Sequence, residues 1–356
     1  MSETRRQDAG SVAPAAGAGS RTVVVTIQHP AHVHFYKHTI RELERRNHDV
    51  HLFVVSKDVA TDLLDAYGFE YEVLGERGPR YTLPARQAAV EYRLWRAARR
   101  LQPDVMTAIG GVAVSHVAPL VGARSVVFTD TEHATVSNRI AFPFADEVLT
   151  PDCYDADHGS NQVRYAGCHE LAYLHPDRFR PDPSVLGEVG LTRDDRFVVL
   201  RHGGWGAVHD VGDGGFDDVA EVVHRIESAG VDVVLSSEST HPPEVADRGI
   251  DLEPDRMHDL LAYADLFVGE SGTMSLESAV LGTPAVYIHT ARPGIVDRLD
   301  RYGLLYPFHD DNRHEQGIET AIELLSANVD WADRRDEFVD DHVDTTEVVV
   351  NRLLFD

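Results

Sequence analysis

Short apolar runs alternate with amphipathic stretches along most of this chain. Val23–Ile27 is a run of β-branched residues that reads as a strand, and 35–46 then carries helical spacing, with Phe35, Ile40 and Leu43 on or near one face. The spacing predicts a second strand at 50–55, a helix at 58–67, a strand near 71–74 and a long helix at about 85–101. Strands follow at 104–109 and 125–129, with a helix between them, and 147–150 is a further short strand.

Pro176, Pro181 and Pro183 then interrupt the pattern, and the alternation restarts. Strands are predicted at 197–200, 232–236, 265–268 and 285–288, with helices at 216–229, 256–264 and 273–281. The stretches 313–327 and 331–355 read as terminal helices. Strands alternating with helices imply parallel, doubly wound sheets. The reading is therefore α/β, with two Rossmann-like domains whose parallel sheets face an interdomain cleft. The expected divisions are a disordered tail at 1–20, an N-terminal domain at 21–175, a linker at 176–195, and a C-terminal domain at 196–330. A terminal helix at 331–356 is expected to pack back on the first domain. Ligands of open α/β sheets bind beyond the carboxyl ends of the strands, so the loops after strands should carry the chemistry.

Charge sharpens this picture. The 356 residues include 59 acidic and 33 basic ones, for a formal net charge of −26. Only Lys37 and Lys57 are lysines, against 31 arginines, and Asp outnumbers Glu by 36 to 23. Short carboxylates hold dense hydration, whereas a lysine stem presents apolar area to water. Such a surface suits molar salt, where the Debye length falls to about 3 Å. It fits a halophile cytoplasmic protein, and it argues against sequence-independent binding to nucleic acid. Cys153 and Cys168 show no metal-type spacing and read as reduced structural thiols. No apolar run approaches the length of a membrane span. Arg5-Arg6 precedes no hydrophobic segment and is not read as an export signal.

The most informative segment runs from Asp259 to Ala285, DLLAYADLFVGESGTMSLESAVLGTPA. A strand ends near Val268, and the turn Glu270-Ser271-Gly272-Thr273 opens a helix. Free backbone N–H groups and the helix dipole at such a start favour an anion such as a diphosphate. Ser271 and Thr273 can cap the helix or donate, Gly272 lets backbone approach phosphate closely, and Glu277 lies about one turn in. A plain capped turn also accounts for Ser-Gly-Thr. This segment resembles the nucleotide-sugar signature of GT-B glycosyltransferases and of non-hydrolysing UDP-GlcNAc 2-epimerases. The resemblance implies that Ser271, Gly272 and Thr273 grip a pyrophosphate and that Glu277 holds a ribose. Thr273 and Leu276 stand where the epimerases carry a second Gly and a further Glu. The stretches HPAHVHFYKHTIRELERRNHDV, FTDTEHATVSNR and GCHELAYLHPDRFRPDP resemble an archaeal domain-of-unknown-function family related to GT-B enzymes.

Other candidates sit in loops after strands. His32 in His29-Pro-Ala-His-Val-His-Phe35 resembles a His-Val pair near the acceptor side of the transferases, and it is expected to act as a general base. A metal reading would take His32 and His34 with His38 one turn on, but GT-B chemistry needs no metal, and none is expected; His34 is expected to bind substrate instead. Asp130 and Glu132 follow the strand at 125–129 and are expected to be acid and base if the closed cleft raises one carboxyl pKa; an N-cap acid is the alternative for Asp130. Arg201 and His202 can neutralise departing diphosphate, ahead of Gly203-Gly204-Trp205-Gly206. His169 and Glu170 lie beside the Pro-rich stretch and are expected to reach substrate, with a helix-start role as the alternative for Glu170.

One stretch breaks the acidic pattern. Residues 77–100 hold Arg77, Arg80, Arg86, Arg93, Arg96, Arg99 and Arg100, with Glu91 as the only acid. This helix can touch anionic lipid as a peripheral membrane contact, or pair its arginines with the acidic surface. Together these readings predict a glycosyltransferase using a nucleotide-diphosphate sugar, of UDP type, as substrate, with no cofactor and a lipid-linked or polysaccharide acceptor. A UDP-HexNAc 2-epimerase and a non-catalytic nucleotide-sugar binder are the alternatives.

Overall fold

The computed structural model describes residues 19–55, 59–75, 82–202, 216, 218–237 and 241–355. The tail at 1–18, Lys57, Arg77, Arg80 and the glycine-rich stretch after His202 therefore lie outside the described residues. In chain order the first part comprises β1 (Thr22–Ile27), α1 (Pro30–Arg45), β2 (Asp49–Val55), α2 (Val59–Ala66), β3 (Tyr71–Gly75), α3 (Leu83–Leu101), β4 (Val105–Ile109), α4 (Val112–Val121), β5 (Arg124–Phe128), α5 (Thr135–Ala141), β6 (Glu147–Pro151), β7 (Gln162–Tyr165), α6 (Leu171–Leu174) and α7 (Ser184–Glu188). The second comprises β8 (Phe197–His202), α8 (Val219–Glu227), β9 (Asp232–Ser237), α9 (Met257–Leu261), β10 (Leu266–Gly269), α10 (Gly272–Leu281), β11 (Ala285–Ile288), α11 (Gly294–Arg301), β12 (Leu305–Phe308), α12 (Arg313–Leu325), α13 (Trp331–Asp340) and α14 (Thr345–Leu354).

The strands form two parallel sheets, ordered β3-β2-β1-β4-β5-β6-β7 and β12-β11-β10-β8-β9. Strand order reverses between β1 and β4 in the first sheet and between β8 and β10 in the second. The loops after β1 and β10, which carry the most informative motifs, thus open at topological switch points.

Local chemistry sets the element ends. His29 caps α1, its Nδ1 accepting the Ala31 N–H at 3.2 Å, and Pro30 occupies the first turn, where a missing N–H costs nothing. Ser271 caps α10, and Gly282 closes it in the left-handed region (φ 92°). The single helix expected over 331–355 is two helices. Between them the Val343 N–H donates to Ala166 O, and Asp344 caps α14 while pairing with Arg178 at 2.6 Å. These polar ties turn the chain so that α14 packs on α1 and α6. The stretch expected to be a plain linker contains α7, whose Val185 and Leu186 are buried.

Apolar packing joins the halves. One buried cluster runs from Val23, Phe35 and Phe128 through Leu171 and Leu174 to Phe267, Met274 and Ile295. Two further clusters cover the outer faces of the two sheets, beneath α3 and α4 and beneath α8 and α12. No helix of the described residues is long and apolar enough to cross a membrane.

Candidate active site

Three loops of the first half converge on a buried acid–base group. Asp130 follows β5, His169 and Glu170 follow β7, and His32 sits in the first turn of α1. His169 Nδ1 lies 3.0 Å from Asp130 Oδ2, and Thr131 Oγ1 donates to Asp130 Oδ1 at 2.8 Å. The Phe35 ring packs 4.7 Å from the imidazole and walls it off from water. Burial opposes the charge on both partners, but their mutual attraction wins: Asp130 is held below the usual carboxylate range and His169 is raised. Glu170 lies beside this pair with 4% of its surface exposed. Burial first, and then the Asp130 charge, push its carboxyl up to about 7. Glu170 Oε2 and His169 Nε2 are buried without a hydrogen-bond partner among the described residues.

His32 does not suit the base role expected of it. Its Nδ1 accepts the Gln28 N–H at 3.4 Å, and burial together with His29 and His169 lowers its pKa to about 3. The metal alternative fails on geometry, because His32 and His34 enter different clusters. His32 faces His29 at 6.0 Å between ring centroids, whereas His34 stacks on Tyr173 at 5.4 Å and meets the His258 ring at 4.5 Å. Of the two loop carboxyls, one of them expected to be raised, Asp130 is lowered and Glu132 is raised by burial; Glu170 is raised as well. Asp130 is no helix cap, since Ala134 precedes α5. Glu170 does precede α6, but its side chain makes no capping bond.

Glu132 and Glu277 form the seam between the halves. Glu132 Oε1 accepts the Gly294 N–H at 3.1 Å, placing a carboxylate at the positive end of α11. Gly294 is obligatory there, because a Cβ would collide with the backbone carbonyl of Cys153. Glu277, expected to hold ribose, is 4% exposed and already occupied: Tyr173 Oη donates to its Oε1 at 2.8 Å, and His258 Nε2 lies 3.0 Å from the same oxygen. Behind them Lys37 Nζ donates to Tyr67 Oη at 3.5 Å, and Tyr67 Oη lies 3.1 Å from His34 Nδ1. Burial brings the Lys37 ammonium down to about 8.

The start of α10 offers a different surface. Ser271 Oγ accepts the Met274 N–H at 3.4 Å and keeps its own hydrogen to donate outward. The first-turn amides of Gly272 and Thr273 have no helical acceptor. Nothing crowds Gly272; a Cβ would meet Tyr287 Oη at 3.7 Å, an ordinary contact. Buried Glu270 accepts from His314 Nε2 at 3.1 Å, which steadies the turn. Arg201 Nη1 donates to Ser236 Oγ at 3.0 Å, and His202 Nε2 lies 3.1 Å from His241 Nδ1. A concavity of about 690 Å3 between α11 and α13 is lined by Arg298, Tyr302 and Arg334 and by none of the candidate residues.

Sequence reasoning missed Tyr173, His258, His241 and His314. Each acts as the partner of a residue it did single out, from a distant part of the chain. Tyr173 stands three residues past Glu170 in one of the stretches carrying the archaeal resemblance, so only its pairing was hidden.

Two parallel Rossmann-type sheets with loops of both halves meeting at a seam define a GT-B-like protein. The chain belongs to the family described as "Protein of unknown function (DUF354)", whose model matches residues 22–354. An uncharacterized protein of Methanocaldococcus jannaschii is 23% identical over 279 residues, covering 74% of this chain and 80% of that one. Among solved structures, UDP-GlcNAc 2-epimerase from Neisseria meningitidis bound to UDP-GlcNAc superposes with a TM-score of 0.67 at 11% identity, covering 94% of this chain and 99% of that one. The calicheamicin glycosyltransferase CalG4 superposes with a TM-score of 0.59 at 15% identity, covering 94% and 97%. These likenesses establish the fold, which sugar 2-epimerases and glycosyltransferases share.

Proposed function

We propose that this chain is a glycosyltransferase that uses a nucleotide-diphosphate sugar, of UDP type, held between its halves. The observation that carries the reading is the pairing of an open, uncrowded helix start at Ser271–Thr273 with a buried acid–base group on the facing half. The donor diphosphate sits on the first-turn amides of α10, where the helix dipole favours it. Glu277 exchanges Tyr173 and His258 for the ribose hydroxyls as the seam opens. The acceptor hydroxyl loses its proton to Glu170, whose carboxyl titrates near neutrality. Its oxygen bonds to the anomeric carbon while the bond from that carbon to the diphosphate oxygen breaks. The diphosphate leaves with the electron pair and is neutralised by Arg201, His202 and the α10 amides. The Asp130–His169 pair stands beside Glu170, where the Asp130 charge helps keep that carboxyl basic, and holds the loop after β7 in place.

A second reading is supported by the same carboxyl groups. A 2-epimerase needs two acid–base groups of different pKa on opposite faces of a sugar, and Asp130, Glu132 and Glu170 are pushed apart in pKa. The readings separate in one experiment. The protein is incubated in molar KCl with UDP-GlcNAc alone, and the sugar is followed by NMR. The transferase reading predicts no inversion at C2; inversion without an acceptor overturns it.

A further inference from the structure

We propose that the outer face of the first half, formed by α3, α4 and α5, docks on an anionic lipid bilayer. The inference does not rest on the transferase reading. Among the described residues nine large apolar side chains are exposed, and six of them, Leu83, Tyr92, Leu120, Val136, Ile140 and Phe144, lie on these three helices and the turn after α5. Leu120 and Val136 are 69% and 73% exposed, and exposed apolar groups that cluster, unlike scattered ones, mark contact surfaces.

The elements that carry these side chains adjoin one another. α3 packs on α4, and α4 packs on α5 and on the Phe142–Phe144 turn. His116 of α4 joins them: its Nδ1 lies 3.0 Å from Glu91 Oε1 of α3, its Nε2 lies 2.8 Å from Ile140 O, and its ring meets Phe144 at 5.3 Å. Leu120 is one turn along α4 from His116.

The charge of the face points to its occupant. Across α3, α4, α5 and that turn there are six arginines, Arg86, Arg93, Arg96, Arg99, Arg100 and Arg139, and one carboxylate, Glu91, in a chain whose net charge is −26; Arg93 donates to Leu74 O and Arg100 pairs with Glu72 at 3.5 Å, both on β3. Glu91 is engaged by His116 and Gln87. Arg99 lies over the Trp95 ring at 5.0 Å, and Tyr92 packs 5.9 Å from that ring. Interleaved arginine, aromatic and aliphatic groups suit the headgroup layer of an anionic membrane, where the charges meet phosphate and the apolar groups enter the acyl boundary. A second copy would set like-charged arginines such as Arg96 and Arg99 against one another. Salt screens the arginine contribution but not apolar insertion, so part of the attachment survives molar salt.

The test is co-sedimentation of the full chain with vesicles of phosphatidylcholine alone and of phosphatidylglycerol mixed with phosphatidylcholine, in low and molar KCl. Stronger binding to the mixed vesicles is expected at low KCl; in molar KCl a weaker remainder, carried by apolar insertion, is expected on both vesicle types. Arg96→Glu with Arg99→Glu should weaken binding at low salt by about tenfold or more. Leu120→Ser with Phe144→Ser should remove the salt-resistant part, whereas Val343→Ser, exposed elsewhere, should change nothing. Each variant's melting temperature is recorded, and the charge-reversal pair keeps the test valid should the serine pair fail to fold. Equal binding to both vesicle types at low KCl, no binding, or unchanged binding by both double variants overturns the proposal. So does a dimer in analytical ultracentrifugation that either double variant converts to monomer.

Discussion

The two halves carry the same architecture but different kinds of chemistry. In the first half the candidate groups are titratable side chains, buried and displaced from their ordinary pKa values by one another. In the second half the start of α10 offers backbone amides, a hydroxyl and a glycine, none of which titrates near neutrality. A helix start holds an anion at any moderate pH, whereas a buried carboxyl beside an ion pair changes state near neutrality. The comparison assigns binding to one half and proton transfer to the other, and substitutions on the two sides should separate them.

Glu170→Gln is the sharpest break. It removes the proton acceptor and should lower transfer by about 10²- to 10⁴-fold while leaving nucleotide affinity unchanged. The wild-type rate should rise with pH through about 7, the value for Glu170, because the base works only when ionised. The same substitution should stabilise the fold at high pH. A carboxyl whose folded pKa is raised contributes stability that is fully present below its unfolded pKa and lost as pH rises through the folded one. A rise from 4.5 to about 7 corresponds to about 3 kcal/mol at pH 8, where Gln mimics the protonated acid. Denaturant melts at pH 5 and pH 8 check this; a difference that does not grow with pH contradicts it.

Next in size is Gly294→Ala. It forces a methyl group into the Cys153 carbonyl at the seam and should cost about 1–3 kcal/mol, read as a lowered melting temperature. Asp130→Asn leaves His169 without its counter-ion. The loss should be greatest below the raised His169 pKa, fade as pH rises through it, and also fade in acid as the wild-type carboxylate is protonated. Urea midpoints across pH 3–9 follow it. Smallest is Tyr173→Phe, which removes one hydrogen bond to a charged group and should cost about 1.5 kcal/mol or somewhat more, with Glu277 still held by His258.

How far the sequence reveals this division depends on distance along the chain. The strand–helix alternation around β1, β4, β5, β8, β10 and β11 was legible because those strands are buried on both faces and read as continuous apolar runs. Strands β7 and β12 were not. β7 is Gln-Val-Arg-Tyr at a sheet edge and carries no apolar run, and in β12, at the edge of the other sheet, Pro307 interrupts the apolar run Leu304–Phe308 and masks it as a strand. α11 begins behind Arg292-Pro293-Gly294, which resembles a turn. The start of α10 is contained in one segment and could be read directly. The acid–base group could not, because Asp130 and His169 meet only after β6 and β7 are laid beside β5. The Tyr173–Glu277 contact joins residues 104 positions apart. Choosing His32 as base followed from its ordinary pKa, which burial and two neighbouring imidazoles overturn.

The central claim, that the start of α10 holds the diphosphate while the facing half supplies the proton chemistry, is tested most directly by calorimetric titration of UDP into three proteins in molar KCl. The wild type and Glu170→Gln should bind alike. Gly272→Ala, whose added methyl meets only an ordinary contact with Tyr287 and so leaves the fold intact, should bind at least about tenfold more weakly because backbone can no longer approach the phosphates. Undiminished UDP binding by a folded Gly272→Ala protein would contradict the account.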